Sequence, residues 1–308
     1  MKEGEPQKEP IQGKIERLVS HFGCEPGSIR TLRRTGPGKF HIILEAEKDE
    51  RTWIIKATEP GINVARLRTE SRLLSSAPRD YLKQNRILIP EIEHELTEFE
   101  GLHAIMISKI PKGKKPTFSD FRHVLEVLHG KEMTVFPEIK RLEPKDYLRR
   151  TLKRLNALRQ IGDLKGLREG EVERIRAFYL KKWELLALFD RIFVHGDFKE
   201  KHVRRIGEEL VLIDFDKSVI GCELEDWAWL SVRHPRLEAK IKDYLRERFT
   251  TNKIGKLRNF DAAFRLMQID RVVEAYFTRT YQWRGNLDAF SYGVKIRGRY
   301  ALNRLLRP

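Results

Sequence analysis

Residues 194–216 of the chain read VHGDFKEKHVRRIGEELVLIDFD, and this stretch decides the fold prediction. His195-Gly196-Asp197 is expected in a loop, which a hairpin follows with its turn at Gly207. Asp214 ends the apolar second strand of that hairpin, 17 residues after Asp197. Two acidic residues, one in a loop and one at a strand end, are typical of hydrolytic and metal-binding sites alike. Their spacing across a hairpin is the more specific feature.

The loop, the hairpin and Asp214 together resemble the catalytic loop and metal-binding segment of the protein-kinase-like superfamily. Because Gly196 follows the histidine, the stretch is most similar to the aminoglycoside phosphotransferase and choline kinase branch. The resemblance extends from Ile11 to at least Trp229, with specific motifs in the C-terminal part and loose ones in the N-terminal part. It implies an α+β, two-lobed fold, with a small antiparallel-sheet N-terminal lobe carrying one main helix and a larger, mostly helical C-terminal lobe.

The resemblance also implies roles for single residues in a transfer of phosphate from ATP to a hydroxyl group. Asp197 would accept or orient the proton of the attacking hydroxyl, and Lys199 would contact the γ-phosphate. Asp214 would hold Mg²⁺, or Mn²⁺ in its place, and His195 would act structurally. At the family's second metal-binding position, usually Asn, this chain has His202. Metal ligation by His202 and a plain hydrogen bond to Asp197 both stay open.

Candidate nucleotide-binding residues lie in the N-terminal third. Gly36 and Gly38 stand in a Gly-Pro-Gly turn that could cover phosphates or be an ordinary β-turn. Lys56 ends an apolar strand and resembles the lysine that pairs with the α- and β-phosphates, and Glu70 would pair with it. The alternative for Lys56 and for Glu70 is a side chain that simply extends into solvent. We expect Lys56 near Asp214, and backbone groups from Ser108 to Ile110 near the adenine.

Short runs rich in branched and aromatic residues alternate with helical spacing along the chain. Strands are predicted at 28–32, 40–46, 52–57, 87–94 and 103–108, and in the hairpin at 203–205 and 210–214. Helices are predicted at 11–22, 62–77, 118–130, 144–160, 169–190, 223–232, 237–249 and 260–282. Trp227 and Trp229 are assigned to the core and Asp226 to an anchoring role.

The change from strands to helices near residue 110 predicts two domains. The nucleotide-binding lobe would comprise residues 1–108, with a tail at 1–10 and a leading helix at 11–22. A linker at 109–115 would join it to the helical lobe at 116–308, which would carry the catalytic loop and the acceptor site.

The composition is strongly basic, with 61 Lys and Arg against 45 Asp and Glu. This balance favours anionic partners or, alternatively, belongs to a charge-rich surface of thermophilic type. The isolated Cys24 and Cys222 exclude a disulfide framework and a cysteine-rich zinc site. Without a long apolar run or an apolar signal core at residues 1–10, we expect a cytoplasmic protein without membrane contact.

The acceptor is less well defined by the sequence. Between Arg271 and Pro308, eight cations stand against two acids, with aromatic residues interleaved. This region would repel a polycationic aminoglycoside, so a neutral or anionic small metabolite is the first hypothesis. Basic and aromatic residues together are also typical of RNA binding, so a kinase for an RNA hydroxyl or a protein Ser/Thr is the second. A nucleotide-binding module without turnover is the third.

Overall fold

The computed structural model describes residues 11–33, 42–130, 133, 139–160, 169–250 and 254–282. The strands are β1 (Arg30–Arg33), β2 (Ile42–Lys48), β3 (Arg51–Thr58), β4 (Ile87–Leu88), β5 (Ile92–Phe99), β6 (Leu102–Ser108), β7 (Arg191–Val194), β8 (Val203–Ile206), β9 (Glu209–Leu212) and β10 (Val219–Cys222). The helices are α1 (Ile11–His21), α2 (Ile62–Ser76), α3 (Arg79–Gln84), α4 (Phe118–Leu128), α5 (Pro144–Gln160), α6 (Glu169–Lys182), α7 (Glu225–Arg233), α8 (Glu238–Thr250) and α9 (Ile254–Gln282).

The described residues group into two compact units. The first lies within 1–114 and 204–217, and the second within 115–203 and 218–308. The first unit contains a five-stranded sheet in the order β1-β2-β3-β6-β5, in which all neighbours are antiparallel. Strand β4 instead pairs in parallel with β9, which also neighbours β8.

Helix α1 covers one face of the five-stranded sheet. Its apolar residues, among them Leu18 and Val19, join Leu44 of β2, Ile55 of β3 and Met106 of β6 in one buried cluster. Because side chains alternate along a strand, the odd-numbered residues of β3 enter this cluster. Lys56 therefore points to the opposite face of the sheet.

Helix α2 packs against β5, β6 and β3. Leu67 and Leu74 are fully buried, and Glu70 lies between them on the same helical face. This spacing carries a carboxylate into the interior of the first unit. The fold thus brings Lys56 of β3 and Glu70 of α2 together.

With the linker predicted at 109–115, the 203–214 hairpin was expected in the helical lobe. In the structure, residues 204–217 belong to the first unit. The reason is backbone hydrogen bonding. Leu210 N donates to Arg86 O at 2.9 Å, and Lys114 and Arg205 exchange N–H···O bonds of 2.8 and 3.1 Å. Asp214 consequently belongs to the same unit as Lys56.

The second unit is mainly helical. Helix α9 contacts α5, α6, α7 and α8, and α4 begins with a capping box formed by Thr117 and Asp120. Strands β7 and β10 form an antiparallel pair, with Val194 opposite Val219. This pair leads the chain directly into His195.

Several elements differ from the sequence-based expectation. The run predicted as one strand at 87–94 is split at Pro90, so that β4 and β5 pair with different partners. The helix predicted at 169–190 ends at Lys182 and continues as a 3₁₀ turn, Trp183–Leu188. Helix α3 and strands β7 and β10 were not predicted. Among the described helices, none combines the length and apolar composition that crossing a bilayer requires.

Candidate active site

In the first unit, the Lys56 ammonium lies between two carboxylates. Its Nζ is 2.7 and 2.8 Å from the two carboxylate oxygens of Glu70 and 3.1 Å from Asp214 Oδ1. Glu70 is completely buried and Lys56 is 9% exposed. Burial alone would lower the pKa of Lys56, but the charges of Glu70 and Asp214 outweigh it, so that its pKa is raised. Lys56 is therefore held as a cation at a fixed position.

Asp214 reaches this position through an unusual backbone conformation. It follows β9 by two residues and has a φ of 72°, in the left-handed region that aspartate tolerates better than most residues. Phe215, next in the chain, is buried and anchors the turn. Burial, followed by the charges of Asp214 and Glu70, raises the pKa of Asp216 to about 7.

The carboxylates of Asp214 and Asp216 are of the kind that binds a divalent cation. Hard carboxylate oxygens are the ligands that Mg²⁺ prefers. Burial is the main cause of the raised pKa of Asp216, and the negative charges of Asp214 and Glu70 add to it, a repulsion that a bound cation would relieve. The residues present in the first unit therefore suit a divalent cation.

In the second unit, the loop after β7 is fixed through its backbone. The N–H groups of His195 and Gly196 donate to the two carboxylate oxygens of Asp226, at 2.7 and 3.0 Å. Gly196 has a φ of 78°, which glycine adopts without a steric penalty. Arg271 donates to Gly196 O at 3.4 Å. Burial raises the pKa of Asp226 to about 7, although the N–H groups of His195 and Gly196 oppose the shift.

Asp197, held by this loop, is 6% exposed and accepts a donor on each carboxylate oxygen. Trp229 Nε1 donates to Oδ1 at 3.2 Å, and Lys199 Nζ donates to Oδ2. His202 Nδ1 lies 3.1 Å from Asp197 O. If Nδ1 carries the proton of that hydrogen bond, the lone pair of Nε2 faces away and can act as a ligand.

The remaining candidates of the first unit are placed as follows. The N–H groups of Ser108 and Lys109 donate to Glu91 O and Thr52 O, at 2.8 and 3.3 Å, and so do not remain for adenine. Ile110 O lies 3.4 Å from a guanidinium nitrogen of Arg204. Gly36 and Gly38 lie outside the described residues.

Two residues that contact the loop after β7, Trp229 and Arg271, were not predicted to do so from the sequence. Trp229 was assigned to the core and is indeed buried, but its indole N–H contacts Asp197. Arg271 was counted as one of the cations of a basic face, which is wrong because it is 2% exposed and paired with Asp270, Glu225 and Glu274. The exposed fraction of a residue on a long helix is set by tertiary packing, which a count of charges does not contain. Residues 283–308 of the predicted basic region lie outside the described part of the chain.

Comparisons with known proteins identify the family of the chain. A sequence model of the phosphotransferase enzyme family matches residues 43–260, more than two thirds of the chain. No curated protein sequence matches significantly.

Solved structures with a similar fold include an aminoglycoside phosphotransferase, APH(4)-Ia, in a ternary complex with AMP-PNP and hygromycin B. It is 14% identical with a TM-score of 0.62, over 97% of this chain and 98% of that one. A putative fructosamine-3-kinase from Haemophilus somnus 129PT is 16% identical with a TM-score of 0.61, over 96% and 97%. An amicoumacin kinase in complex with AMP-PNP and Ca²⁺ is 12% identical with a TM-score of 0.59, over 97% and 96%.

These similarities confirm the predicted protein-kinase-like α+β fold and the predicted family branch. The match to the family model covers both the Lys56–Glu70–Asp214 cluster and the loop that carries Asp197. The chain belongs to the phosphotransferase enzyme family.

Proposed function

We propose that this kinase transfers the γ-phosphate of ATP to a hydroxyl group of a small metabolite. The observation that carries the proposal is the position of Lys56, whose Nζ contacts both Glu70 and Asp214. The phosphates of a nucleotide require a fixed cation, which Lys56 provides because Glu70 anchors it. The metal ion of the nucleotide requires an accessible carboxylate, which the partly exposed Asp214 provides.

The first unit would bind the nucleotide. Lys56 would contact its α- and β-phosphates, while Glu70 keeps the ammonium in place. Asp214 would hold Mg²⁺, which neutralises phosphate charge when bound. Gly36 and Gly38 would cover the phosphates. Of Ser108 and Ile110, both predicted to lie near the adenine, Ile110 is the better candidate, since the N–H of Ser108 already donates to Glu91 O.

The second unit would activate the acceptor. Asp197 would take the proton of the hydroxyl as the oxygen attacks the γ-phosphorus, the bond from phosphorus to the bridging oxygen breaks, and ADP leaves. Lys199, which contacts Asp197 in the structure, would turn to the γ-phosphate when the nucleotide binds. His202 would offer Nε2 to the cation or serve only through its hydrogen bond to Asp197 O.

We further propose the domain roles predicted from the sequence, in which residues 1–108 bind the nucleotide, 109–115 link the lobes and 116–308 carry the acceptor site. The assignment of 204–217 to the first unit modifies this scheme. Asp214 would then act together with the nucleotide-binding part rather than with the helical part.

A small-molecule acceptor is favoured over a macromolecule. Similar structures contain hygromycin B or bear the names of kinases for amicoumacin and fructosamine. The argument for RNA came from the basic region after residue 270, and Arg271 at its start is neutralised by three buried carboxylates. The described residues thus give no specific support to an RNA acceptor.

The test is transfer from γ-labelled ATP, with Mg²⁺, to fractionated metabolite pools and to total RNA. We expect label in one metabolite fraction, and an Asp197→Asn variant should transfer at least about 100-fold more slowly. Asn keeps the size of the side chain but cannot accept the proton. Label recovered only in RNA would replace the small-molecule proposal, and equal transfer by the variant would remove Asp197 from its proposed role.

A further inference from the structure

Trp229 contacts the side chain on which the proposed chemistry depends. Its Nε1 donates to Asp197 Oδ1 at 3.2 Å, and the ring is only 4% exposed. A buried indole N–H needs an acceptor, but any carbonyl oxygen would satisfy that need. Here the acceptor is the carboxylate proposed to receive the hydroxyl proton.

The position of Trp229 on helix α7 accounts for its contact with Asp197. Asp226 and Trp229 are three residues apart, so both side chains project from the same face of the helix. Asp226 accepts from the backbone N–H groups of His195 and Gly196, and Trp229 donates to the carboxylate of the next residue, Asp197. One helix therefore sets both the path of the loop and the rotation of the Asp197 side chain.

The indole is itself fixed. Arg233, one turn further along α7, places its guanidinium carbon 4.3 Å from the centre of the Trp229 ring. A cation above the ring face stabilises this position and polarises the indole so that its N–H becomes a better donor. Packing and the cation thus hold the N–H toward Asp197.

The two donors to Asp197 differ in what they can do during turnover. Lys199 is a flexible cation that can leave the carboxylate for phosphate, as in its proposed role. Trp229 carries no charge and no competing partner of that kind, so it can stay in place throughout. It occupies one lone pair of Oδ1, and the carboxylate keeps others for an acceptor hydroxyl.

We propose that Trp229 is a positioning residue that orients the Asp197 carboxylate for the proton of the acceptor hydroxyl. The inference rests on the proposed role of Asp197 as the proton acceptor. A hydrogen bond to a charged group is typically worth a factor of about 10 to 100 in an equilibrium or rate. The loss should appear in kcat, because the nucleotide binds through other residues.

The test replaces the N–H alone. Site-specific incorporation of 3-benzothienylalanine at position 229 keeps the bicyclic ring and substitutes sulfur for the N–H. The readout is phosphate released from ATP with Mg²⁺, water serving as acceptor, so no acceptor needs to be identified. We expect kcat to fall about 10- to 100-fold while the KM for ATP changes by less than about twofold. Trp229→Phe should show the same split.

The matched control is the same replacement at Trp227, which is buried on the same helix and packs against His129 and Tyr244. It should leave kcat unchanged. Full kcat in the protein altered at position 229 would overturn the inference, as would an equal loss at position 227.

Asp197→Asn separates this inference from the function on which it rests. Inactive Asp197→Asn protein together with full activity after replacement at 229 would overturn the positioning role alone. Active Asp197→Asn protein, or no phosphate release by the unaltered chain with water and metabolites alike, would overturn the proposed function first.

Discussion

At the scale of single residues, the candidate site depends on the position and contacts of each side chain and not only on the residue type. Lys56 was a candidate because it follows the apolar run Trp53-Ile54-Ile55, and its pairing with Glu70 was predicted from the resemblance to the kinase family. The periods of a strand and a helix account for where the two side chains lie: Lys56 is on the face of β3 opposite the cluster under α1, and Glu70 lies between Leu67 and Leu74 on α2. The contact of Trp229 with Asp197 could not be found this way, since the periodicity of α7 predicts burial of the indole and not its hydrogen-bond partner.

The Lys56–Glu70 pair allows stability and activity to be separated. Lys56→Met should lower the free energy of unfolding by about 3–5 kcal/mol, because the completely buried Glu70 carboxylate loses its cation. The double variant Lys56→Met/Glu70→Gln should recover most of that stability. Phosphate transfer should stay at least about 100-fold reduced in both proteins, since neither supplies the cation.

Denaturant unfolding and initial rates with ATP measure the two effects. Lys48→Met is the matched control, because Lys48 lies on β2, the neighbour of β3, is partly exposed and pairs with Glu93 of β5 at 2.7 Å. Its stability should change by no more than about 1 kcal/mol, with normal activity. Recovery of activity in the double variant would show that Lys56 acts only as a structural partner of Glu70.

At the scale of helices and strands, long periodic elements were predictable and short non-local ones were not. Helices α2 and α5 and strand β3 lie close to their predicted positions. Strands β7 and β10 contain four residues each, too few to show a period, and they are stabilised by pairing across 24 intervening residues. The short β4 likewise depends on β9, which lies far along the chain. Such pairing is information that a local pattern does not carry.

Helices α5 and α9 are joined by a buried ionic network centred on Asp270. Its carboxylate accepts from Arg150 and Arg271, and the charges of these arginines hold the pKa of Asp270 well below its usual range although burial alone would raise it. Asp270→Asn should lower the free energy of unfolding by about 3–5 kcal/mol, because it removes one of the three carboxylates that neutralise the arginines of this network and leaves an uncompensated positive charge in the interior.

A matched control lies on the same helix. Asp261 is exposed and pairs with Arg246 at 2.9 Å, so Asp261→Asn should cost less than about 1 kcal/mol. Denaturant unfolding of the two variants under identical conditions measures the difference. Equal destabilisation would mean that the buried network contributes no more than a surface ion pair.

At the scale of the whole molecule, overall charge and the boundary between units were the least predictable properties. The net charge of +16 is a property of the composition, yet the structure neutralises Arg150, Arg154 and Arg271 inside the second unit. The boundary was drawn where the sequence changes from strands to helices, whereas residues 204–217 return to the first unit through backbone pairing. A linear sequence does not reveal a unit built from two separate segments.

The dependence of global stability on pH should be governed in part by His129. This residue follows α4 and is 8% exposed, and neither ring nitrogen has a hydrogen-bond partner among the described residues. Burial, helped by the charge of Arg248, lowers its pKa to about 3. In the unfolded chain the pKa is near the ordinary value of about 6.5. Between these two values the unfolded state binds the additional proton, so the free energy of unfolding falls as the pH drops below about 6.5.

His129→Leu should remove this dependence. At pH 5, protonation of the histidine in the unfolded chain lowers the free energy of unfolding by about 2 kcal/mol. Leucine does not titrate and has no such effect. We therefore expect the variant to lose less stability than the unaltered protein between pH 8 and pH 5, measured by denaturant unfolding at both values. The comparison at pH 8, where the histidine is neutral in both states, isolates the effect of the altered packing. Parallel stability curves for the two proteins would show that the ring is not held neutral in the folded state.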